Sequence, residues 1–579
     1  MNYFRATFYD QYTRLTKEEI EKKLTPVARA ESATPTSEVL AGKTLKLILD
    51  DGPTLEYTFA SETLTLQENG SETVTAPYRA RELDQIVMFT HMIPGTVRGY
   101  NVVVDQRTNL VTVFEVWFCG FAEDLREVWR HYMFGYVDTG TSAPKARHSL
   151  TNRIEGLGTY WKDDNGREML YFFPSVFWSS FVELSDPRGG ITLTAPSDFI
   201  KINDKYYIYS RVEQEFSGTF TLEVIDLFTV RHIGVRLGFD LNDDLDYQVY
   251  CGSGEVTGRS TSLAPLADYG TEIPGDERLT AQLDPAIKGM RPHYRPRFLH
   301  LDYTQEQVDE IVATNSKIFE GRNIMSSFHT MESTDYLAGM RFLLRFDDGP
   351  AWEYEIIDAE HLKWRAEGES EWHEEIYQAF EPAKDLIAFS HICTGSKPLR
   401  CLTHAIDFTN ALVTCVDAQL GNGRKPWEVG NKAIFGVLER EEGPTPPAVR
   451  RHGFTTDLVG KAYAWIYSDF MQSIHVYSTP ESYSWTIMLP NGAGGWMWSS
   501  PCLYVKLRAD VYLMSWTEDA CNGMQGVIIL NTNIMHDAGF GFGMSDFEGD
   551  HALSVSTIGA HARPLAGFDI LKYFEKKRK

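Results

Sequence analysis

The sequence predicts a mainly-β protein made of four small antiparallel β-barrels, set out as a tandem duplication of a two-barrel unit with short linking helices. Three observations carry that prediction. Short stretches of alternating apolar and polar residues, bounded by Gly, Pro, Asn and Asp, fill most of the chain. The same words recur in its two halves. Aromatic residues make up 13% of the 579 positions, enough to fill several closed interiors.

In chain order, Thr16-Lys-Glu-Glu19 is a capping box that opens a helix to about Leu24, and residues 33–37 read as a linker ending an N-terminal segment, 1–40. Residues 42–59 read as strand, Asp-Asp-Gly turn and strand, a hairpin signal that opens the first barrel, 41–137. That barrel is expected to end in a linking helix at 124–134, where Leu125, Val128, Trp129 and Tyr132 fall at i, i+3, i+4 and i+7. A polar stretch leads into the second barrel, 138–252. Residues 253–337 read as a connector, Gly-, Ser-, Thr- and Pro-rich at first, with a helix opened by the capping box Thr304-Gln-Glu-Gln307. The third barrel spans 338–440, with a helix near 427–438. The fourth spans 441–579 after a Pro-rich link and carries a basic C-terminal tail.

The duplication is read from matching words. Gly52 in D-D-G-P answers Gly349 in D-D-G-P, His91 answers His391, Glu115 answers Asp417, Arg147-His148 answers Arg451-His452, and Glu213 answers Glu518. The offset climbs from 297 to 305 in small steps, as small loop insertions produce, whereas chance matches scatter.

Composition excludes several function classes. A net charge of −25 gives no basic face to displace counterions, so no nucleic-acid partner is expected. No apolar run approaches the roughly 20 residues that span a bilayer, and no signal segment opens the chain, so no membrane partner and a soluble cytoplasmic setting are expected. Seven cysteines without a C-x-x-C pair argue against a disulfide framework or structural zinc. No metal and no organic cofactor are expected, and a homo-oligomer is left open.

The chemistry-bearing stretch is residues 511–518, V-Y-L-M-S-W-T-E. Period two places Tyr512, Met514, Trp516 and Glu518 on one strand face, and Y-I-Y-S-R-V-E ending at Glu213 lies over it. A carboxylate on an apolar strand face is held by a partner or used in chemistry. Acidic residues recur at this place in all four blocks, as Glu115, Glu213, Asp417 and Glu518, where desolvation would raise a carboxyl towards neutrality for acid/base work. The competing reading is an interior hydrogen bond to a Tyr or His. Trp496 and Trp498 offer an aromatic wall for a planar ligand, or a packed core. His91 and His391 end matching strands and serve as ligand contacts or structural donors. His391, Cys393, His404 and Cys415 are the set to watch for a metal drawn from separate strands.

The duplicated unit resembles the MoaF family on two motifs: D-D-G-P-x-x-E-Y in the first and third barrels and R-H-x-x-T-x-x-L-x-G at Arg451. The resemblance implies paired lipocalin-like (calycin-type) barrels. The later block of each copy is also similar to the phenolic acid decarboxylases, cofactor-free β-barrel lyases, through Ile466-Tyr-Ser-Asp469, Gly494-Gly-Trp496, residues 511–518 and Met535-His536. In that family two tyrosines, an arginine and a glutamate bind and protonate a 4-hydroxycinnamate. Carried over, the glutamate falls on Glu518, one tyrosine on Tyr467, the other on Trp465 and the arginine on Gly495. In the first copy Glu213 remains and Tyr467 aligns near Lys162. The resemblance, taken with the carboxylate on an apolar strand face, implies a cofactor-independent lyase or isomerase acting on a small aromatic, phenolic or enolic compound, with Glu518, Tyr467 and Glu213 catalytic and Trp465 beside the ligand. Strand parity and the repeat add Trp496, Trp516, Tyr512, Glu115, Asp417, His91 and His391 as expected ligand contacts. The alternative is a non-catalytic lipocalin-like binding or accessory protein.

Overall fold

The computed structural model describes residues 15–25, 27–118, 126–151, 153–174, 178–185, 192–213, 218–240, 242–260, 303–314, 325–326, 329–421, 423, 425–440, 451–468, 472–488, 496–518, 523–545 and 552–575. The mainly-β reading holds: four closed or nearly closed antiparallel barrels, with short helices at Lys17–Lys23, Gln305–Thr314 and Leu571–Glu575 among the described residues. Two compact units divide the chain, one built on residues 3–295 and the other on residues 296–494 and 498–579. Each contains two barrels.

The first barrel is a nine-stranded meander from Thr44–Leu49 to Val128–Val137, whose first and last strands pair with Leu47 opposite Val137. The third repeats it as a closed eight-stranded barrel from Arg341–Phe346 to Val429–Arg440, with Phe342 opposite Arg440. The second closes where Thr192–Lys201 pairs with Tyr206–Val212 and Leu157–Asp163 pairs with Leu245–Arg259. The fourth closes where His561–Gly567 pairs with Lys461–Ile466 and meets His536–Ser545 at His536. Both capping boxes form: the Thr16 and Glu19 side chains each accept the other's backbone N–H, and Thr304 and Gln307 do the same.

The two linking helices expected at 124–134 and 427–438 are strands instead, Val128–Val137 and Val429–Arg440. The helical spacing was a coincidence of a strand that is apolar on both faces. Met133 and Val137 fill the first barrel, while Tyr132 and Phe134 pack outward against the second. A run of aromatic and β-branched residues with a glycine inside it favours a strand, and here that strand closes the barrel. Residues 253–259, expected to open the surface connection, instead complete the strand Leu245–Arg259 that closes the second barrel against Leu157–Asp163. Residues 261–302 of the expected connector lie outside the described residues, as does the basic tail at 576–579.

In each unit the outer faces of the two barrels form a shared core. Ile208, Val212, Leu222 and Val235 of the second barrel pack on Met88, Val103, Phe114 and Val116 of the first. Val511, Leu513, Val527 and Phe540 of the fourth pack on Phe380, Ala388 and Val416 of the third. The two sequence motifs also join the barrels. Arg147 holds Asp50 of the first D-D-G turn at 2.7 and 2.8 Å, and Arg451 holds Asp347 of the second at 3.0 and 3.1 Å. The following histidines, His148 and His452, each bond a threonine of the preceding barrel, Thr112 or Thr414, at 2.8 Å.

Candidate functional site

The strand Val511–Glu518 is buried throughout because it separates two cores. Ser515 points outward and accepts from the Asn431 amide, while Trp516 meets the Tyr483 ring inside the fourth barrel at 6.1 Å. Glu518 lies on that inner face. Its Oε1 accepts from Ser500 Oγ at 2.8 Å and from Trp485 Nε1 at 3.1 Å.

Asp537, near the start of the strand His536–Ser545, joins the same interior. One carboxyl oxygen accepts the Ala560 backbone N–H at 2.5 Å, and Oδ2 is buried with no hydrogen-bond partner among the described residues. Burial pushes this carboxyl up to about 8, so it keeps its proton at neutral pH. Tyr467 lies near both acids. Burial, then the charge of Asp537, raises its phenol well above the usual range; Glu518 adds to the rise and a bond with Ser473 opposes it. His475 bonds Ser473 Oγ at 3.0 Å, and burial pulls its imidazole down to about 3, so it is neutral. Its Nδ1, Tyr477 Oη and Trp465 Nε1 are likewise buried without a partner among the described residues. Native interiors leave few polar atoms unpaired, and three in the contacting side chains of Trp465, His475 and Tyr477, with the Asp537 carboxyl acting on Tyr477, mark a place where a polar ligand or solvent fits. The fourth barrel can therefore supply a proton from Asp537, accept one at Glu518 and orient a ligand oxygen at Tyr467.

At the equivalent strand positions the second barrel holds a different set. Register places Asp163 where the fourth barrel has Tyr467, correcting the alignment near Lys162, and puts Tyr171 on His475, Arg211 on Trp516, Glu223 on Ile528 and His232 on Asp537. Trp161 and Trp465 match. Tyr171 and Tyr250 donate to Glu223 Oε1 at 2.7 and 2.8 Å. His232 stacks on Trp161, sits 2.7 Å from Asp163 and lies 3.5 Å from Glu223 Oε2. Burial alone would lower that imidazole, but the Glu223 and Asp163 carboxylates raise it to about 9. Glu223 is in turn held down to about 2, chiefly by His232 against the penalty of burial. Glu213 accepts from Arg236 at 2.9 Å.

The remaining expected residues divide by barrel. Trp465 lies in the fourth-barrel interior. Tyr512 shares the inner face of Glu518 but sits six residues along the strand, about 20 Å away, where it bonds Asp457 beside Lys461 and Lys506. Trp498 is buried, and the Trp496 side chain lies outside the described residues. Glu115 and Asp417 are not lone carboxylates on an apolar strand; each pairs with an arginine at 2.7 Å, Arg98 and Arg400. His91 reaches Tyr57 at 3.3 Å, and His391 and His404 share Tyr354 at 3.0 and 2.8 Å. These two tyrosines are the last residues of the D-D-G-P-x-x-E-Y motifs. Burial holds His91 near 4 and His391 near 3, and no group of three or more metal-ligating side chains assembles among the described residues.

Sequence reasoning missed Asp537, Asp163, Tyr171, Arg211, Glu223 and Tyr250. Asp537 stood beside His536, which had been singled out, and the inward parity of Arg211 was already implied by that of Glu213.

The MoaF N-terminal domain family matches residues 28–118 and 324–422, and the MoaF C-terminal domain family matches residues 452–567. Among curated proteins no sequence matches the chain. A crystal structure from Nostoc punctiforme, described as a protein with unknown function from the DUF3598 family, aligns at 10% identity over 42% of this chain and 100% of its own, with a TM-score of 0.22. No helix among the described residues is long and apolar enough to cross a membrane.

Proposed function

The chain belongs to the MoaF family, with its N-terminal domain present twice, and from that premise we propose that it is a cofactor-independent isomerase or lyase that moves a proton on a small phenolic or enolic compound inside the fourth barrel. The observation that carries this reading is that a buried carboxyl oxygen of Asp537, without a hydrogen-bond partner among the described residues, shares one interior with Glu518 and Tyr467. Two acids in unlike surroundings suit a proton relay. Glu518 takes a proton from the bound compound, its electron pair moves through the conjugated system, and Asp537 returns a proton at the far end. Tyr467 hydrogen-bonds the oxygen where charge gathers. The closed barrel keeps bulk water from that charge. The setting is proposed to be cytoplasmic, with neither nucleic acid nor membrane as partner.

A non-catalytic binding role is the second reading. It is favoured by His475 Nδ1, Tyr477 Oη and Trp465 Nε1, which would hold a ligand without moving its protons. A panel of hydroxycinnamates and aryl enols, followed by NMR for turnover and for deuterium uptake from solvent, separates the two. Catalysis predicts that Glu518→Gln lowers the rate by about 100- to 10,000-fold, the range of general acid–base contributions. Full turnover by Glu518→Gln would remove the role assigned to this residue.

A further inference from the structure

The second barrel contains a buried cation whose hydrogen bonds are incomplete. Arg211, on the inner face of Tyr206–Val212, is fully buried. Its guanidinium lies over the rings of Phe181, Tyr171 and Tyr209, at 4.4, 5.0 and 5.4 Å from their centres. One nitrogen, Nη1, donates to Tyr209 Oη at 3.3 Å, while Nε and Nη2 have no hydrogen-bond partner among the described residues. Those two N–H groups form one edge of the planar fork, the edge that grips a carboxylate through two parallel bonds. A buried charge with donors left open is costly unless something completes it.

The neighbouring acids are already engaged. Glu213 Oε1 lies 3.6 Å from Arg211 Nε, beyond hydrogen-bond range, and accepts from Arg236 at 2.9 Å. Glu223 accepts from two tyrosines and faces the protonated His232. The arginine is also not a requirement of the barrel, because the fourth barrel carries Trp516 at the same register. Glu223 and His232 are exchanged along with it, for Ile528 and Asp537. A whole polar set has been swapped between two copies of one fold, which separates ligand chemistry from structural need.

We propose that the second barrel is a separate binding site for a small organic carboxylate, its two oxygens on the Nε–Nη2 edge of Arg211 and its apolar body against the Tyr171, Phe173 and Tyr209 rings. Those rings pack edge to face on one another, with centres 5.1 to 6.1 Å apart, and give the aromatic lining that such a body needs. The site is independent of the fourth-barrel reading and stands if that reading fails.

The test is isothermal titration of the full chain with benzoate and 4-hydroxycinnamate, and with benzamide and phenol as neutral counterparts. The carboxylates are expected to bind at least tenfold more tightly than the neutral compounds, and Arg211→Met is expected to abolish that preference. Arg211→Lys keeps the charge without the fork and should weaken carboxylate binding about tenfold, which preserves the test if the methionine variant does not fold. Equal affinity for charged and neutral probes, unchanged carboxylate binding in Arg211→Lys, or no binding by the wild-type chain at millimolar concentration would each overturn the proposal.

Discussion

Asp537 is the residue on which the fourth-barrel chemistry turns, and its titration is measurable apart from any substrate. Its carboxyl rises from the ordinary 3.8 to about 8 because burial disfavours the charged form. Between those values the folded chain holds a proton that the unfolded chain has released, so stability falls as pH rises through this window and levels off above about 8. Asparagine at 537 has no proton to lose. The Asp537→Asn variant is expected to be level with wild type near pH 4 and more stable by a few kcal/mol at pH 8, each pKa unit being worth about 1.4 kcal/mol. Chemical denaturation across that range checks it, and parallel stability curves for the two proteins would show that Asp537 is ionised throughout. The second barrel solves the same positional problem with opposite charge, placing a protonated His232 between Glu223 and Asp163.

Strands rather than helices close the first and third barrels, and their seams are tight. A Cβ at Gly135 would lie 2.2 Å from the Ile48 carbonyl oxygen, and one at Gly436 would lie 2.1 Å from that of Arg345. Both contacts are with backbone, which cannot move without parting the seam. Gly436→Ala is therefore expected to destabilise its unit by at least about 2 kcal/mol, in the range of overpacked core substitutions. A melting temperature unchanged within error would contradict that seam geometry. These strands are also where the sequence misled. A strand covered on both faces loses the alternation that identifies strands, and apolar residues at i, i+3, i+4 and i+7 then imitate a helix. Hairpins and capping boxes were legible because turn and cap chemistry depends on local backbone geometry.

At the scale of the whole molecule, the duplication was legible because loop insertions shift the offset by only a few residues at a time, and the inward parity of Glu213 and Glu518 followed from it. What each acid meets inside its barrel was not legible. Asp537, Glu518 and Tyr467 inside the fourth barrel, and His232, Glu223 and Asp163 inside the second, are each brought together from separate strands, and their partners depend on barrel closure. Because the two units have separate cores, heating is expected to give at least two calorimetric transitions, with Gly436→Ala lowering only the one that belongs to residues 303–575. A single transition that shifts as a whole would argue for one cooperative body. The central claim, that the fourth barrel moves a proton on a bound phenol or enol, is tested most directly by mass. The purified chain would be incubated with 4-hydroxycinnamates and aryl enols in heavy water, and the bound compound weighed after native mass spectrometry and denaturing extraction. The account predicts a stoichiometric ligand that has gained deuterium at carbon or lost carbon dioxide with wild type, and an unaltered one with Glu518→Gln. A ligand bound by wild type and recovered with its original mass would contradict it.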